Sequence, residues 1–233
     1  MIYTKSLADY CELGFNQVDG WCSNEVFKTI DLLNNLEINK TGGCLEIGVH
    51  HGKLYILLNS VIDSKFSSYA VDIFSNQDLN IDGSGNGSLE IFKKNLMLFD
   101  IHKGANTVII AGDSTDDGLM LKKRIGVGSM RFISIDGGHT AEHTINDLKI
   151  SSELISNEGV VILDDILNHH WLGVIEGVVK FLDSKPTLIP FAIGHNKLYL
   201  SKLSFNHRYQ SLFENSKLAT KVVNFFGHQL VAL

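Results

Sequence analysis

The chain of 233 residues is poor in cysteine, with only Cys11, Cys22 and Cys44. Three thiols cannot all pair with one another, and these three lack the closely spaced pairs of a zinc site, so we expect them to stay reduced. Residues 1–14 lack the apolar core of a signal peptide, and no window approaches the ~18 apolar residues of a membrane span. We therefore expect a cytoplasmic protein with no membrane partner.

Positive charge is also scarce, since 20 Lys and Arg residues stand against 26 Asp and Glu residues, for a net charge of −6. No local block of basic residues compensates, so a nucleic acid is not an expected partner. The hydrophobic share of 44% is enough for a full core. Because α/β chains of roughly 200 to 250 residues commonly form one domain, we expect residues 1–233 to be a single domain.

Short apolar runs rich in Val and Ile alternate with longer segments of helical period, a pattern typical of parallel βαβ units. The predicted strands in the first part of the chain are residues 44–48, 69–74, 107–112, 131–136 and 160–164. The predicted helices are residues 24–36, 53–63, 88–99, 115–125, 140–156 and 171–183.

Two further runs, 187–193 and 197–203, are separated by three residues and should form an antiparallel hairpin, because a parallel pair needs a longer crossover. Residues 228–232 can form a final strand. The pattern predicts an α/β, Rossmann-like doubly wound sheet of seven strands, mostly parallel with an antiparallel C-terminal hairpin. Residues 1–40 would be an N-terminal helical or lid segment. The polar, Gly-rich residues 75–88 would be an active-site loop over the carboxyl ends of the strands, or else a solvated connection.

A glycine turn joins the first predicted strand to the following helix. Gly48 and Gly52 allow the backbone to approach a ligand closely, but their G-x-x-x-G spacing differs from the G-x-G-x-x-G of dinucleotide sites. Glu46 would repel a pyrophosphate and attract the sulfonium and ammonium groups of S-adenosylmethionine. The turn therefore favours S-adenosylmethionine, and a nicotinamide oxidoreductase is a weaker alternative.

Polar side chains at the ends of the next two strands suit other parts of this cofactor. Asp72 lies 24 residues after Gly48, where an acid accepts hydrogen bonds from ribose hydroxyls. Asp113 and Ser114 end the third strand with groups that suit the adenine edge. Each acid alone has an alternative role in capping a strand or helix end, but acids at the ends of consecutive strands indicate a shared ligand.

Three carboxylates follow the fourth and fifth strands, Asp136 on one and Asp164 with Asp165 on the other. Neighbouring strands lie ~4.8 Å apart, so these groups would converge and repel one another unless a cation neutralised them. Ligands that are all oxygens favour a hard ion such as Mg²⁺. The alternative is that Asp165 caps a turn while Asp164 supports the loop.

His139, three residues after Asp136, is the candidate base for a hydroxyl acceptor, because histidine titrates near neutral pH and a metal-bound hydroxyl loses its proton readily. Residues 139–143 also match H-x-x-E-H, the inverted zinc-peptidase motif formed by His139-Thr140-Ala141-Glu142-His143. A peptidase would leave the glycine turn and the paired aspartates unexplained, so it is the weaker interpretation.

Six segments together resemble the class I methyltransferases related to macrolide-sugar O-methyltransferases and to cephalosporin-hydroxylase-like proteins. The resemblance runs from about Gly20 to Leu200. It is carried by LEIGVHHGK (45–53), VDIFSNQ (71–77), GDS (112–114), ISIDGGHT (133–140), GVVILDD (159–165) and WLGV (171–174).

The resemblance implies a metal-dependent O-methyltransferase acting on a small-molecule hydroxyl, such as a sugar or a natural-product glycoside, and a homo-oligomer. It implies Asp136, Asp164 and Asp165 as magnesium ligands and His139 as the base, since Gly138 occupies the position where some relatives have an Asp. A binder of S-adenosylmethionine without catalytic activity is the alternative. The candidate cofactor contacts are Glu46, Gly48, His50, Gly52, Asp72, Ile73, Asp113, Ser114 and Asp136. The candidate acceptor contacts are Gln77, Asn80, Asp82, Ser84, His169, His170 and Trp171.

Overall fold

The computed structural model describes residue 4, residues 6–36 and residues 40–233. Within these residues, nine strands form one sheet, so the prediction of seven strands is wrong. In chain order the strands are β1 (Gly43–Ile47), β2 (Ser68–Asp72), β3 (Thr107–Ala111), β4 (Met130–Ile135), β5 (Ile155–Leu163), β6 (Leu188–Gly194), β7 (Lys197–Lys202), β8 (Lys221–Phe225) and β9 (His228–Ala232).

The order of the strands across the sheet is β3-β2-β1-β4-β5-β7-β6-β9-β8. The first five strands pair in parallel, β7 runs antiparallel to both β5 and β6, and β9 is parallel to β6. The predicted α/β sheet, mostly parallel with an antiparallel hairpin near its C-terminal end, is therefore confirmed. The strand order reverses between β1 and β4, and such a switch point is where open α/β sheets bind ligands.

β8 and β9 form a terminal hairpin. β9 coincides with residues 228–232, which the sequence allows as a final strand, whereas β8 is not predicted. The turn of this hairpin is formed by Phe226 and Gly227, which both have positive φ, at +46° and +79°. A two-residue turn of this kind is usually signalled by Asn-Gly or Asp-Gly, and Phe at the first position hides it. β8 itself is largely exposed and has no continuous apolar run, so its sequence does not indicate a strand.

Helices cover both faces of the sheet, as a doubly wound fold requires. No helix within the described ranges is long and apolar enough to cross a membrane. The helices are α1 (Leu7–Asp9), α2 (Glu25–Asn34), α3 (Lys53–Asn59), α4 (Leu89–Phe99), α5 (Leu121–Ile125), α6 (Ala141–Leu154), α7 (Leu172–Asp183) and α8 (Leu203–Glu214).

The helix predicted at residues 53–63 ends at Asn59 in the structure. Two further differences from the predicted helices have local reasons. The predicted helix 115–125 shortens to α5, because Asp116 caps a separate turn by accepting a hydrogen bond from Gly118 N at 2.8 Å. Met120 then has a left-handed φ of +47° just before α5. The sequence analysis does not predict α8, whose first residue follows Lys202, a residue that makes no side-chain capping bond.

Two apolar clusters fill the space between the sheet and its helices. Side chains of consecutive strand residues alternate between the faces of a sheet, and in β1 Leu45 and Ile47 lie in one cluster whereas Cys44 lies in the other. Residues of α2, α3, α4 and α8 pack with Cys44, and residues of α5, α6 and α7 pack with Leu45. Packing on both faces holds the five parallel strands β1 to β5 in place, with their carboxyl ends along the same edge of the sheet.

Gly48, directly after β1, is required by the close approach of two strands. Its φ is +82°, and a Cβ atom there would lie 1.8 Å from the carbonyl oxygen of Asp136. We predict that Gly48→Ala lowers the free energy of unfolding by at least about 3 kcal/mol, because backbone strain and overpacking add. Urea unfolding measures the change. Gly83→Ala is a suitable control, since nothing lies within 4 Å of its Cβ position, although its φ is +69°. A smaller loss for Gly48→Ala than for Gly83→Ala would contradict this account.

Candidate functional site

A cavity of about 710 Å³ opens at the carboxyl ends of β1 to β5. This volume is within the usual range for small-molecule and cofactor sites. Its wall includes most of the residues that the sequence predicts for the site. These are Gly48, His50, Asp72, Ile73, Gln77, Asn80, Asp82, Ser84, Asp113, Ser114, Asp136, His139, Asp164, Asp165 and Trp171.

Four predicted site residues lie off this wall. Gly52 packs against the Phe92 ring, and a Cβ atom on this residue would lie 2.7 Å from the ring. Glycine is therefore needed here for packing rather than for contact with a ligand. His169 and His170 are exposed, with their rings 3.9 Å apart at the centroids. Glu46 is buried at the end of β1, with only 2% of its surface exposed.

Glu46 carries a carboxylate oxygen, Oε2, that has no hydrogen-bond partner among the described residues. Burial raises its pKa to about 8, with the positive charge of Lys197 opposing the shift. The ionised form of Glu46 would repel an anionic ligand such as a pyrophosphate. It would attract a cationic ligand, which would in turn favour ionisation. The orphaned oxygen therefore fits a cationic cofactor better than a dinucleotide.

Asp72 links the glycine turn to the end of β2. Its Oδ2 accepts a hydrogen bond from His50 N at 2.7 Å, and Oδ1 accepts one from Phe74 N. Burial raises the pKa of Asp72, and these main-chain donors oppose the shift. Gly87 lies close to the carboxylate, since a Cβ atom on this residue would be 3.0 Å from Asp72 Oδ1. The two main-chain donors thus fix the orientation of the Asp72 carboxylate, which keeps further lone pairs at the cavity wall.

Asp113 and Ser114 lie on the neighbouring part of the wall, after β3. Asp113 Oδ1 accepts hydrogen bonds from the main chain and hydroxyl of Thr115, both at 2.8 Å. Although burial opposes the ionised form, these bonds and nearby His143 lower the pKa of Asp113. His143 Nε2 is 3.4 Å from Asp113 Oδ2, so this histidine supports the wall at β3.

The zinc-peptidase interpretation is wrong, because the two histidines of its motif point to different partners. Thr140 is the N-cap of α6 and accepts a hydrogen bond from His143 N at 3.2 Å. His139 therefore precedes the helix, and the two rings do not share a helix face. Glu142, which would be the peptidase base, is exposed.

His139 lies between two carboxylates. Its Nδ1 is 2.8 Å from Asp82 Oδ2, and its Nε2 is 2.8 Å from Asp165 Oδ2. The main-chain N–H of His139 also donates to Asp82 Oδ2, at 2.7 Å. Burial disfavours the charged ring, but the two carboxylates outweigh it and raise the pKa of His139. The ring stacks on Trp171 with centroids 4.5 Å apart.

Asp82 lies in the loop 75–88, and its contacts with the main chain and ring of His139 set the orientation of that ring. Burial opposes its ionisation, but hydrogen bonds from Ser84 and His139 lower its pKa to about 2. Asp82 is predicted from the sequence as an acceptor contact. In the structure its Oδ2 contacts His139, and its Oδ1 accepts a hydrogen bond from Ser84 N at 2.9 Å. Asn80 holds the same loop by donating to Gln77 Oε1 at 2.7 Å.

Asp136, His139 and Asp165 form a group that is suited to a metal ion. One ligand atom from each lies within 4.8 Å of the others, and His139 Nε2 is 4.0 Å from Asp136 Oδ1. Burial, followed by repulsion from Asp164, raises the pKa of Asp136 well above its ordinary value. Two carboxylates at the cavity wall fit a hard divalent cation that keeps several water ligands. The donor set therefore fits Mg²⁺ held by Asp136 and Asp165.

Asp164 has a different partner from the one that the sequence suggests. Its Oδ2 accepts a hydrogen bond from Nζ of Lys197, and the Lys197 side chain is only 1% exposed. Burial disfavours the ammonium, but the negative charge of Asp164 outweighs it and raises the pKa of Lys197. Asp164 is not in the group that Asp136, His139 and Asp165 form. Its role as a metal ligand stays a prediction.

Breaking this buried ion pair should be costly. We predict that Lys197→Met and Asp164→Asn each lower the free energy of unfolding by about 3–5 kcal/mol, because each leaves a buried charge without its partner. The double variant should lose clearly less than the sum of the two. Chemical denaturation of all four proteins gives the coupling energy. Strictly additive losses would show that the two groups do not pair.

Several residues of the site are missed by sequence reasoning. Asp165 Oδ1 accepts hydrogen bonds from Asn168 at 2.8 Å and from Asn196 at 2.7 Å. Asn196 follows β6 and comes to the site only because β7 inserts beside β5. Trp21 and Cys22, from the predicted N-terminal segment, also lie on the cavity wall. The one signal in the sequence is Lys197, a charged residue directly before the apolar residues 198–200 of β7.

Comparison with known protein families identifies residues 45–166 as a match to the family described as "Methyltransferase domain". The match covers just over half of the chain and includes the glycine turn, Asp72, Asp113, His139 and the Asp164-Asp165 pair. A comparison with curated protein sequences gives no significant match.

Solved structures of methyltransferases have the same fold. The O-methyltransferase NovP has 16% identity and a TM-score of 0.58, covering 76% of this chain and 79% of its own. An O-methyltransferase from Bacillus cereus in complex with SAH has 14% identity and a TM-score of 0.58, covering 86% of this chain and 91% of its own. A TDP-rhamnose 3'-O-methyltransferase of calicheamicin biosynthesis has 16% identity and a TM-score of 0.52, covering 76% of each chain.

The fold, the position of the cavity and the family match all indicate the same family. The sheet is Rossmann-like, the cavity lies at its switch point, and the matched residues include most of the cavity wall. The chain belongs to the methyltransferase-domain family and has the fold of the class I, S-adenosylmethionine-dependent methyltransferases.

Proposed function

We propose that this protein is a metal-dependent O-methyltransferase that methylates a hydroxyl of a sugar or natural-product glycoside. The observation that carries the proposal is the position of His139, whose Nδ1 is 2.8 Å from Asp82 and whose Nε2 lies beside Asp136 and Asp165. A histidine with one ring nitrogen held by a carboxylate and the other directed at a cation-binding group is suited to remove a proton from a hydroxyl.

Asp82 would fix the tautomer of His139 by accepting a hydrogen bond from Nδ1–H, so that Nε2 is the atom that receives the hydroxyl proton. Trp171 stacks on the ring at an interplanar angle of 15° and keeps it from rotating out of line. The main-chain bond from His139 to Asp82 ties this arrangement to the loop 75–88. The loop therefore helps to position the base.

Asp136 and Asp165 would hold Mg²⁺, and Asp164 is a further candidate ligand. When bound, the ion would supply charge that lowers the pKa of the acceptor hydroxyl and stabilises the developing alkoxide. Asn168 and Asn196 keep Asp165 in place through its Oδ1. In the structure Asp165 Oδ2 pairs with His139 Nε2. A cation held by Asp165 would weaken this pairing and leave Nε2 available to accept a proton.

Asp72 would bind the ribose hydroxyls of S-adenosylmethionine, and Asp113 with Ser114 would lie at its adenine. When bound, the cofactor would supply an electrophilic methyl group for the acceptor oxygen, and His139 would take the proton that this oxygen loses. Gly48 brings the main chain close to the ligand. The buried carboxyl of Glu46 lies behind the wall, where a bound cation would favour its ionised form. His50 and Ile73 lie on the wall around the same region.

A sugar-like acceptor is supported by the polar side chains that the loop 75–88 brings to the cavity wall. Gln77, Asn80, Asp82 and Ser84 bring amide, carboxylate and hydroxyl groups to the cavity beside an aromatic face, Trp171. Adjacent hydroxyls suit a metal that can bind two oxygens. The structural similarity to a TDP-rhamnose 3'-O-methyltransferase favours the same substrate class.

The test is methyl transfer from labelled S-adenosylmethionine to panels of glycosides and catechols, with Mg²⁺ and with EDTA. We expect turnover on a glycoside that EDTA abolishes and Mg²⁺ restores. Turnover that EDTA leaves unchanged would overturn the metal, and turnover on catechols alone would overturn the acceptor class. S-adenosylhomocysteine binding by calorimetry without turnover on either panel would favour the non-catalytic alternative.

A further inference from the structure

A second group of metal-ligating side chains lies outside the proposed catalytic group, between the N-terminal segment and the glycine turn. It consists of Asp19, His50 and His51, which offer one ligand atom each within 4.8 Å of one another. Asp19 precedes β1 by more than twenty residues, whereas the two histidines form the turn after it. Nothing in the proposed reaction uses the imidazoles of this group.

His51 is the unusual member. Only 7% of its surface is exposed, and neither ring nitrogen has a hydrogen-bond partner among the described residues. Leaving a buried polar group unsatisfied costs about 1–3 kcal/mol, so such groups usually have a bound partner. The nearest candidate is Asp19, whose Oδ2 lies 3.5 Å from His51 Nδ1, too far for a direct hydrogen bond of normal length.

That separation suits a shared metal ion. Two ligands, each about 2.1 Å from a tetrahedral zinc, lie roughly 3.4 Å apart. His50 completes the group, with its ring centroid 3.8 Å from that of His51. Asp19 is on the surface, with its side chain 82% exposed, so it has the freedom to adjust to an ion and leaves a position open for water.

The ligand chemistry separates this group from the catalytic one. Two imidazoles and one carboxylate favour zinc and other transition metals, whereas a pair of carboxylates with water favours Mg²⁺. The two groups also lie on different elements, one at the turn after β1 and the other after β4 and β5. A protein with both would bind two classes of cation independently.

We propose that Asp19, His50 and His51 form a binding site for Zn²⁺ or a similar transition metal, with water as the remaining ligand. The ion joins the N-terminal segment to the glycine turn. Gly20 lies against this site, since a Cβ atom on it would be 3.7 Å from His50 Nδ1. The Trp21 ring lies tilted beside the His50 ring, with centroids 5.3 Å apart. Because Trp21 is also on the cavity wall, metal binding fixes one side of the cofactor cavity.

Trp21 provides a direct readout. The chain has two tryptophans, so Trp171→Phe leaves Trp21 as the only one. Co²⁺, added with a large excess of Mg²⁺ to block the carboxylate group, should quench Trp21 emission saturably. Asp19→Asn should weaken the Co²⁺ affinity by at least about tenfold and His51→Gln by more than roughly 100-fold, since loss of even an outer partner of a metal site costs 10- to 100-fold. His207→Gln, an exposed histidine on α8, is the matched control and should change nothing.

Circular dichroism and thermal melting establish that each variant is folded, and the exposed Asp19 makes Asp19→Asn informative even if His51→Gln is unstable. Quenching should persist when Asp165→Asn is added, because the carboxylate group takes no part. Equal Co²⁺ affinity in Asp19→Asn and the parent protein, or loss of quenching only in Asp165→Asn, would overturn the proposal. Zn²⁺ titration by calorimetry should reproduce the same order of variants.

Discussion

His139→Ala should reduce kcat by roughly 10²- to 10⁴-fold, the usual contribution of a general base. The affinity for S-adenosylhomocysteine should change little, because the ring contacts Asp82, Asp165 and Trp171. Asp82→Asn should also lower kcat, because the amide does not hold His139 in the required tautomer. Initial rates at saturating cofactor, with calorimetry for the affinity, measure both effects.

The matched control is His207→Ala, which removes an exposed imidazole far from the cavity and should keep full activity. If His139→Ala retained activity within a few-fold of the parent protein, His139 would not be the base. If Asp82→Asn kept normal kcat while His139→Ala lost it, the loop carboxylate would have no orienting role.

Asp136→Asn should lower kcat by about 10³-fold while cofactor affinity is largely retained. A metal ion stabilises the developing charge by several kcal/mol, and 1.4 kcal/mol corresponds to a factor of ten in rate. Asp136 is the better test than Asp165, since its Oδ1 is 4.0 Å from His139 Nε2 and its loss does not break a direct contact with the ring. Residual activity should no longer respond to Mg²⁺.

Asp116→Asn is a suitable control, because Asp116 caps an exposed turn away from the carboxylates. It should keep both turnover and Mg²⁺ dependence. An Asp136→Asn protein with parental kcat and parental Mg²⁺ dependence would show that the cation, if any, binds elsewhere.

Much of the site follows from strand ends that are visible in the sequence. Asp72, Asp113, Asp136 and Asp165 each come after an apolar run, and parallel strands bring their carboxyl ends to one edge. Buried parallel strands are continuous apolar runs, which is why β1, β4 and the second half of β5 could be predicted. The glycine turn was readable because Gly48 cannot carry a side chain so close to Asp136.

The remaining features depend on contacts between distant parts of the chain. Asp82 reaches His139 across 57 positions, and Lys197 reaches Asp164 across 33. No local pattern encodes such pairs, because the loop conformation and the insertion of β7 beside β5 decide them. Of the terminal hairpin the sequence indicates only β9, at residues 228–232. β8 was missed for the same reason, since it is placed by its pairing with β9.

The most direct test of the account is a crystal structure with S-adenosylhomocysteine and Mn²⁺, which replaces Mg²⁺ and is located by its anomalous signal. The account predicts a peak coordinated by carboxylate oxygens of Asp136 and Asp165, with His139 Nε2 no longer bonded to Asp165. A cofactor bound at Asp72 with no anomalous peak at the two carboxylates, and His139 still paired with Asp165, would contradict it.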